Sequence, residues 1–108
     1  MMGDGVPRND ALAAQWARRA ANQGVMTAQL GMARVHMNEA VRTQSMELAA
    51  KAYVWASLAA AAGDADAKSL LDKLDRDMPR EMLLRSQAEA TKWRRCTQRE
   101  CLDWEPRP

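Results

Sequence analysis

The sequence predicts an all-α protein built as a short stack of antiparallel helical hairpins, and three observations carry that expectation. The first is composition. Apolar residues make up 47% of the 108, yet aromatics only 5%, with no Phe. Ala and Met supply much of the apolar surface, small side chains let helix backbones approach closely, and runs of β-branched residues that would favour strands are absent. The second is an internal echo: WARRAANQG at 16–24 returns as WASLAAAAG at 55–63. The third is the interval between the copies, 39 residues from Trp16 to Trp55, which falls in the range of helical-hairpin arrays.

At that offset Ala13 superposes on Ala52, Trp16 on Trp55, Ala17 on Ala56, Ala20 and Ala21 on Ala59 and Ala60, Gly24 on Gly63, and Ala28 on Ala67. Trp and the first Ala of each copy are four residues apart and share a helix face. The Ala leaves room for a crossing helix and the Trp covers the gap beside it. Gly24 and Gly63 stand where a left-handed residue ends a helix. Asp64 follows Gly63 and can cap the next helix, so the chain reverses sharply.

Five helices follow in order, over 9–23, 26–37, 44–62, 65–76 and 80–96, with 1–8 and 97–108 as loop or tail. The helical repeat domain spans 1–96, divided into a repeat remnant (3–24), a repeat (25–63) and a terminal hairpin (64–96); 97–108 is a C-terminal tail. In the second helix Ala28, Gly31, Met32 and Val35 form one apolar stripe and Leu30, Ala33 and Met37 another, so this helix is expected to be sandwiched. The fourth repeats the first stripe as Ala67, Leu70, Leu71 and Leu74 but is polar opposite, as befits the end of a stack. Pro79 suits the first turn of the fifth helix, whose stripe of Met82, Ser86, Ala90 and Trp93 would close the stack.

The net charge of +2 is too small to imply nucleic acid by itself. No apolar run approaches the ~20 residues of a membrane span, and no secretory leader pattern opens the chain. The chain reads as cytoplasmic if Met1 is the true start, and as periplasmic or secreted if it is a fragment.

These residues resemble the Sel-one-like repeat, a bacterial-type helical hairpin related to the tetratricopeptide repeat, whose pattern runs roughly A-x-x-L-G-x-x-Y-x-x-G-x-G-V-x-x-D-x-x-K-A-x-x-W-x-x-x-A-A-x-x-G. GDGVPRN at 3–9 resembles its G-x-G-V-x-x-D loop, Leu30-Gly31 its L-G pair, and Lys51-Ala52 before Trp55 its K-A-x-x-W. Arg34 stands where the family prefers Tyr, and HMNEAVRTQSMELAA replaces the second G-x-G-V loop. The chain therefore begins inside a repeat, implying a missing upstream helix, a fragment or a degenerate remnant. The resemblance implies an α/α superhelix (a short solenoid) of about two and a half hairpins. It also implies protein–protein interaction as an adaptor, scaffold or regulator, without shared catalytic residues.

His36 is the only histidine, so neither a triad nor a histidine-rich metal site can be assembled. It reads first as an ordinary polar position on the second helix. The alternative is a partner contact, because it shares a stripe with Gln29, and the same stripe on the fourth helix carries Lys68 and Asp75. Cys96 and Cys101 form C-x4-C, too little for zinc. A tail-stapling disulfide and two unpaired thiols are both open. The bond needs the helix to end between them, because i and i+5 point apart on a continuous helix. The reading favours unpaired thiols, because the repeats carry no Cys pair of the kind some secreted relatives have. Trp104 either packs back on the stack or anchors a partner. Asp64, Asp66, Asp72, Asp75 and Asp77 read as surface ion-pairing groups, not an acid–base dyad.

The expectation is a module that catalyses no reaction, uses no cofactor or metal, and binds another protein along its helical surface, with self-association through a repeat end. Alternatives are a dedicated inhibitor or immunity-type protein of a bacterial effector or enzyme, nucleic-acid binding through the Arg-rich tail, and a hydrolase acting on cell-wall or β-lactam substrates. The interleaved acids of the tail and the absence of a nucleophile constellation count against the last two.

Overall fold

The computed structural model describes residues 10–106, and the backbone alone for 10–12. The GDGVPRN loop at 3–9 therefore lies outside the described residues. Five α-helices follow one another: α1 (Asp10–Asn22), α2 (Met26–Thr43), α3 (Met46–Ala61), α4 (Ala65–Asp77) and α5 (Arg80–Thr91), with a 3₁₀ turn at Arg99–Cys101. There is no strand among the described residues. Connections of two or three residues join the helices; α1–α2, α2–α3 and α3–α4 pack as hairpins, whereas α5 packs on α3 rather than on α4. The result is a short all-α solenoid. α3 is its axis, packed on α2, α4 and α5, while α1 packs chiefly on α2.

The two Trp-Ala-Gly echoes end their helices identically. Gly24 (φ 92°) and Gly63 (φ 108°) both take the left-handed conformation. The N–H of Gly24 donates to Ala21 O and that of Val25 to Ala20 O; the N–H of Gly63 donates to Ala60 O and that of Asp64 to Ala59 O. These paired bonds satisfy carbonyls that a helix C-terminus otherwise leaves open. The Ala-Ala pair thus provides the acceptors and the Gly the reversal. Asp64 then accepts from the Ala67 N–H at 2.9 Å and starts α4, as expected.

α2 runs to Thr43, beyond the expected end at 37, and α3 begins at Met46 instead of 44. Between His36 and Thr43 stands neither Gly nor Pro, so nothing stops the helix, and the segment that replaces the family's loop lengthens it. The stop comes at Gln44, in the left-handed region at φ 56°, followed by Ser45, whose hydroxyl accepts from the Leu48 N–H at 3.2 Å. A side chain in that conformation costs about 1–2 kcal/mol. Gln44→Gly is therefore expected to raise the unfolding free energy by about 0.5–1 kcal/mol, once the extra freedom of the unfolded glycine is subtracted. An upward shift of the urea midpoint checks this.

Ala49, Ala50, Ala52 and Tyr53 of α3 meet Leu74 and Met78 of α4 and its end, with Ala40 of α2; Met82 and Leu83 of α5 pack against this group. Trp55 and Ala56 cluster with Met32 and Ala33 of α2 and Ala21 of α1, and Ala59 with Leu30 and Ala67. The Tyr53 hydroxyl donates to Asp75 at 3.1 Å and accepts from Gln87 at 3.1 Å, tying α3 to α4 and α5. Burial raises its pKa above the ordinary tyrosine value.

The C-terminal segment differs most from expectation. α5 stops at Thr91, not 96, so Trp93 falls outside its stripe, and Pro79 stands just before the first helical residue. The chain then crosses back to the end of α1. There the Cys96 N–H donates to Asn22 O at 2.6 Å and Arg95 Nε to Gln23 O at 2.9 Å. These donors satisfy the last carbonyls of α1, which gives a tertiary reason for α5 to end early.

Candidate interaction surface

The residues singled out as partner contacts do not form one surface. Gln29 is buried, and its amide donates to Ala21 O at 3.2 Å. It therefore serves the α1–α2 hairpin, not a partner-facing stripe: its equivalent, Lys68, is exposed because α4 has an open outer face, whereas Gln29 lies against the end of α1. Asp75 is exposed but engaged with Tyr53. His36 is half-buried, facing Arg18 of α1, Lys51 of α3 and Glu105 of the tail. Burial pushes its pKa below 6.5, helped by Lys51 and Arg18 and opposed by Glu105 and Glu39.

Trp104 packs back. Its ring meets Trp55 edge-on with centroids 5.7 Å apart. Asn22, a residue the sequence reading passed over, holds the segment there. This fully buried side chain donates to Leu102 O at 2.8 Å and Trp104 O at 3.0 Å and accepts from Trp93 Nε1 at 3.2 Å. Its counterpart one repeat on is the exposed Ala61, so a break in the echo was the available signal. Outside, Arg19 pairs with Asp103 at 3.0 Å and Arg18 with Glu105 at 3.4 Å. The Arg19 hydrogen bond holds the Asp103 carboxyl below the usual carboxylate range.

The expectation of two unpaired thiols is corrected: Cys96 and Cys101 form a disulfide. The helix ends before both, and the 3₁₀ turn folds the chain so that their Cα atoms lie 5.7 Å apart, within bonding geometry. Chain-entropy arithmetic for so short a loop gives about 2 kcal/mol. The oxidised chain is expected to show no thiol reacting with an aromatic disulfide reagent. Reduction is expected to free two thiols and lower the unfolding free energy by up to about 2 kcal/mol in urea titrations.

Three of the five aspartates have a side-chain or backbone partner in the fold. Asp64 caps α4, Asp66 lies 3.5 Å from Arg34, and Asp75 accepts from Tyr53. Among the described residues, no three His, Cys, Asp or Glu side chains gather as a metal site would need, and no helix is long and apolar enough to cross a membrane.

One surface left open is the face of the first hairpin. A groove of about 410 Å³ runs between Ala13, Ala14 and Ala17 of α1 and Gly31, Met32 and Val35 of α2, with Glu39. A Cβ built on Gly31 would meet nothing within 4 Å, so the floor is open there. Beside it Trp16 is 66% exposed and Val35 50%. α2 is sandwiched between α1 and α3 as expected, with Leu30, Met32 and Ala33 buried, but Gly31 and Val35 of its first stripe look into the groove. Trp16 likewise does not cover a helix seam as its echo Trp55 does, since no described helix crosses α1 there.

No family model matches the chain, and neither do any curated protein or solved structure. What the surface offers must be read from its own chemistry. It is mostly apolar, preformed on two packed helices, and lined by Ala and Gly together with Met32, Val35 and one acid, Glu39.

Proposed function

We propose that the chain is a non-catalytic protein–protein interaction module, an adaptor, scaffold or regulator of the Sel-one-like kind, that binds a partner protein on its helical surface. The observation that carries this reading is the apolar surface of the first hairpin: the exposed Trp16 on α1, and an α1–α2 groove lined by Ala, Gly31, Met32 and the exposed Val35. Exposed apolar surface beside a preformed groove marks a place where another macromolecule can be seated, and aromatic residues in such patches dominate binding energy. A preformed helical scaffold keeps the ordering cost of association low.

Of the tail arginines that suggested nucleic acid, Arg95 binds Gln23 O and Arg94 the carbonyls of Thr91 and Trp93, while the tail acids Asp103 and Glu105 pair with Arg19 and Arg18 of α1. This favours a protein partner over a phosphate backbone, which draws on free cations.

The test is affinity capture with the oxidised full chain from an extract of its host, followed by calorimetry with each recovered protein. A partner bound stoichiometrically, with affinity little changed by salt, is the expected result. Steeply salt-dependent binding to random oligonucleotides, or turnover of a substrate, would replace this reading.

A further inference from the structure

We infer that the α1 face is the seat of an amphipathic helix from a partner chain, packed on α1 as α2 packs on α3. The inference rests on the interaction-module reading and deepens it by naming site and occupant.

The chain contains its own template. The α1 positions Ala13, Trp16, Ala17 and Ala20 are matched, 39 residues on, by Ala52, Trp55, Ala56 and Ala59 of α3, residue for residue. On α3 all four are completely buried. α2 buries them: Met37 and Ala40 cluster with Ala52, Met32 and Ala33 with Trp55 and Ala56, and Leu30 with Ala59. Trp104 packs edge-on against Trp55. On α1 the same letters are open: Trp16 is 66% exposed, Ala13 is exposed, and Ala17 and Ala20 are half-buried. Identical side chains on a like helix present the same contact surface, so a helix shaped like α2 fits both.

The template also fixes the occupant's chemistry. The α2 stripe that covers α3 is Leu30, Ala33, Met37 and Ala40, spaced i, i+3, i+7 and i+10 along one helix face. On the groove side Gly31 stands where the next repeat has Leu70, a half-buried residue packed into the core. The floor is therefore lowered by a whole side chain, and the occupant should carry a bulky apolar residue facing Gly31.

The probe is an acetylated and amidated peptide of residues 26–43, the sequence that performs this task on α3. It is titrated into the oxidised full chain and followed by tryptophan emission and by hydrogen exchange of the chain. Saturable binding that protects α1 and shifts emission to the blue is expected. Trp16→Glu, a change at an exposed position that leaves the fold intact, should weaken it by at least about tenfold, and Ala33→Glu in the peptide by a similar factor.

No saturation at about 1 mM peptide overturns the inference, as does binding that Trp16→Glu leaves unchanged. Protection at α3, meaning exchange with the chain's own α2, also overturns it. So does a concentration-dependent dimer of the free chain that Trp16→Glu abolishes, which would give the face to a second copy. A captured partner held equally by the wild type and Trp16→Glu removes this seat and leaves the module reading. A saturating peptide with no captured protein leaves the seat and removes the module reading.

Discussion

Trp55→Ala is expected to lower the unfolding free energy by about 3–5 kcal/mol, whereas Trp16→Ala changes it by less than about 0.5 kcal/mol. The two residues occupy the same place in the internal repeat, yet Trp55 is fully buried and Trp16 is 66% exposed. Removing the Trp55 ring opens a cavity among Met32, Ala33 and Trp104, and alanine-rich walls have few long side chains to swing into it. Trp55→Phe should cost far less, about 1 kcal/mol. It keeps most of the ring and removes an indole N–H that has no acceptor among the described residues. Urea unfolding followed by far-ultraviolet circular dichroism measures all three. Equal losses at positions 16 and 55 would contradict the packing described.

The second large effect is expected at Asn22→Asp. The amide donates to two backbone carbonyls, Leu102 O and Trp104 O, and a carboxylate cannot donate to either. It would place a buried charge against two acceptor oxygens and should cost about 3–5 kcal/mol. The protein has two ways to respond. Either global stability falls by that amount, or the C-terminal segment detaches at lower cost and Trp104 leaves Trp55. The first appears in the urea midpoint. The second appears as trypsin cleavage at Arg94, Arg95 or Arg99, which lie in the segment that crosses to α1. Unchanged stability together with unchanged resistance to trypsin would show that Asn22 does not hold the segment.

What the sequence discloses and what it hides separate along a physical line. The helix reversals at Gly24 and Gly63 and the cap at Asp64 depend on backbone conformation and on residues a few positions apart, and local spacing reveals them. The length of α2 was misjudged because the family's loop sets an expectation that this segment, free of Gly and Pro, does not obey. Its end rests on a glutamine in a conformation that glutamine seldom takes. Gln29 was placed on the surface by analogy with Lys68, but the two positions differ in what lies beyond them: the end of α1 in one case and solvent in the other. The C-terminal segment was illegible for a different reason. Its partners, Arg18, Arg19, Asn22 and Gln23, are more than seventy positions away, and nothing in the periodicity of either region points to the other. The disulfide was open to the sequence, since the bond needed only that the helix end before Cys101, but nothing local to the two cysteines chose it over free thiols.

A linear array ordinarily communicates only between adjacent units, so its ends can fray without troubling the middle. Here the Asn22 amide grips residues 80 and 82 positions downstream, lashing the first helix to the last segment of the chain. That ligature should make the chain melt as a unit: the amides of α1 and α5 are expected to exchange at a common rate under mildly denaturing conditions, and cutting the tail should loosen the opposite end first.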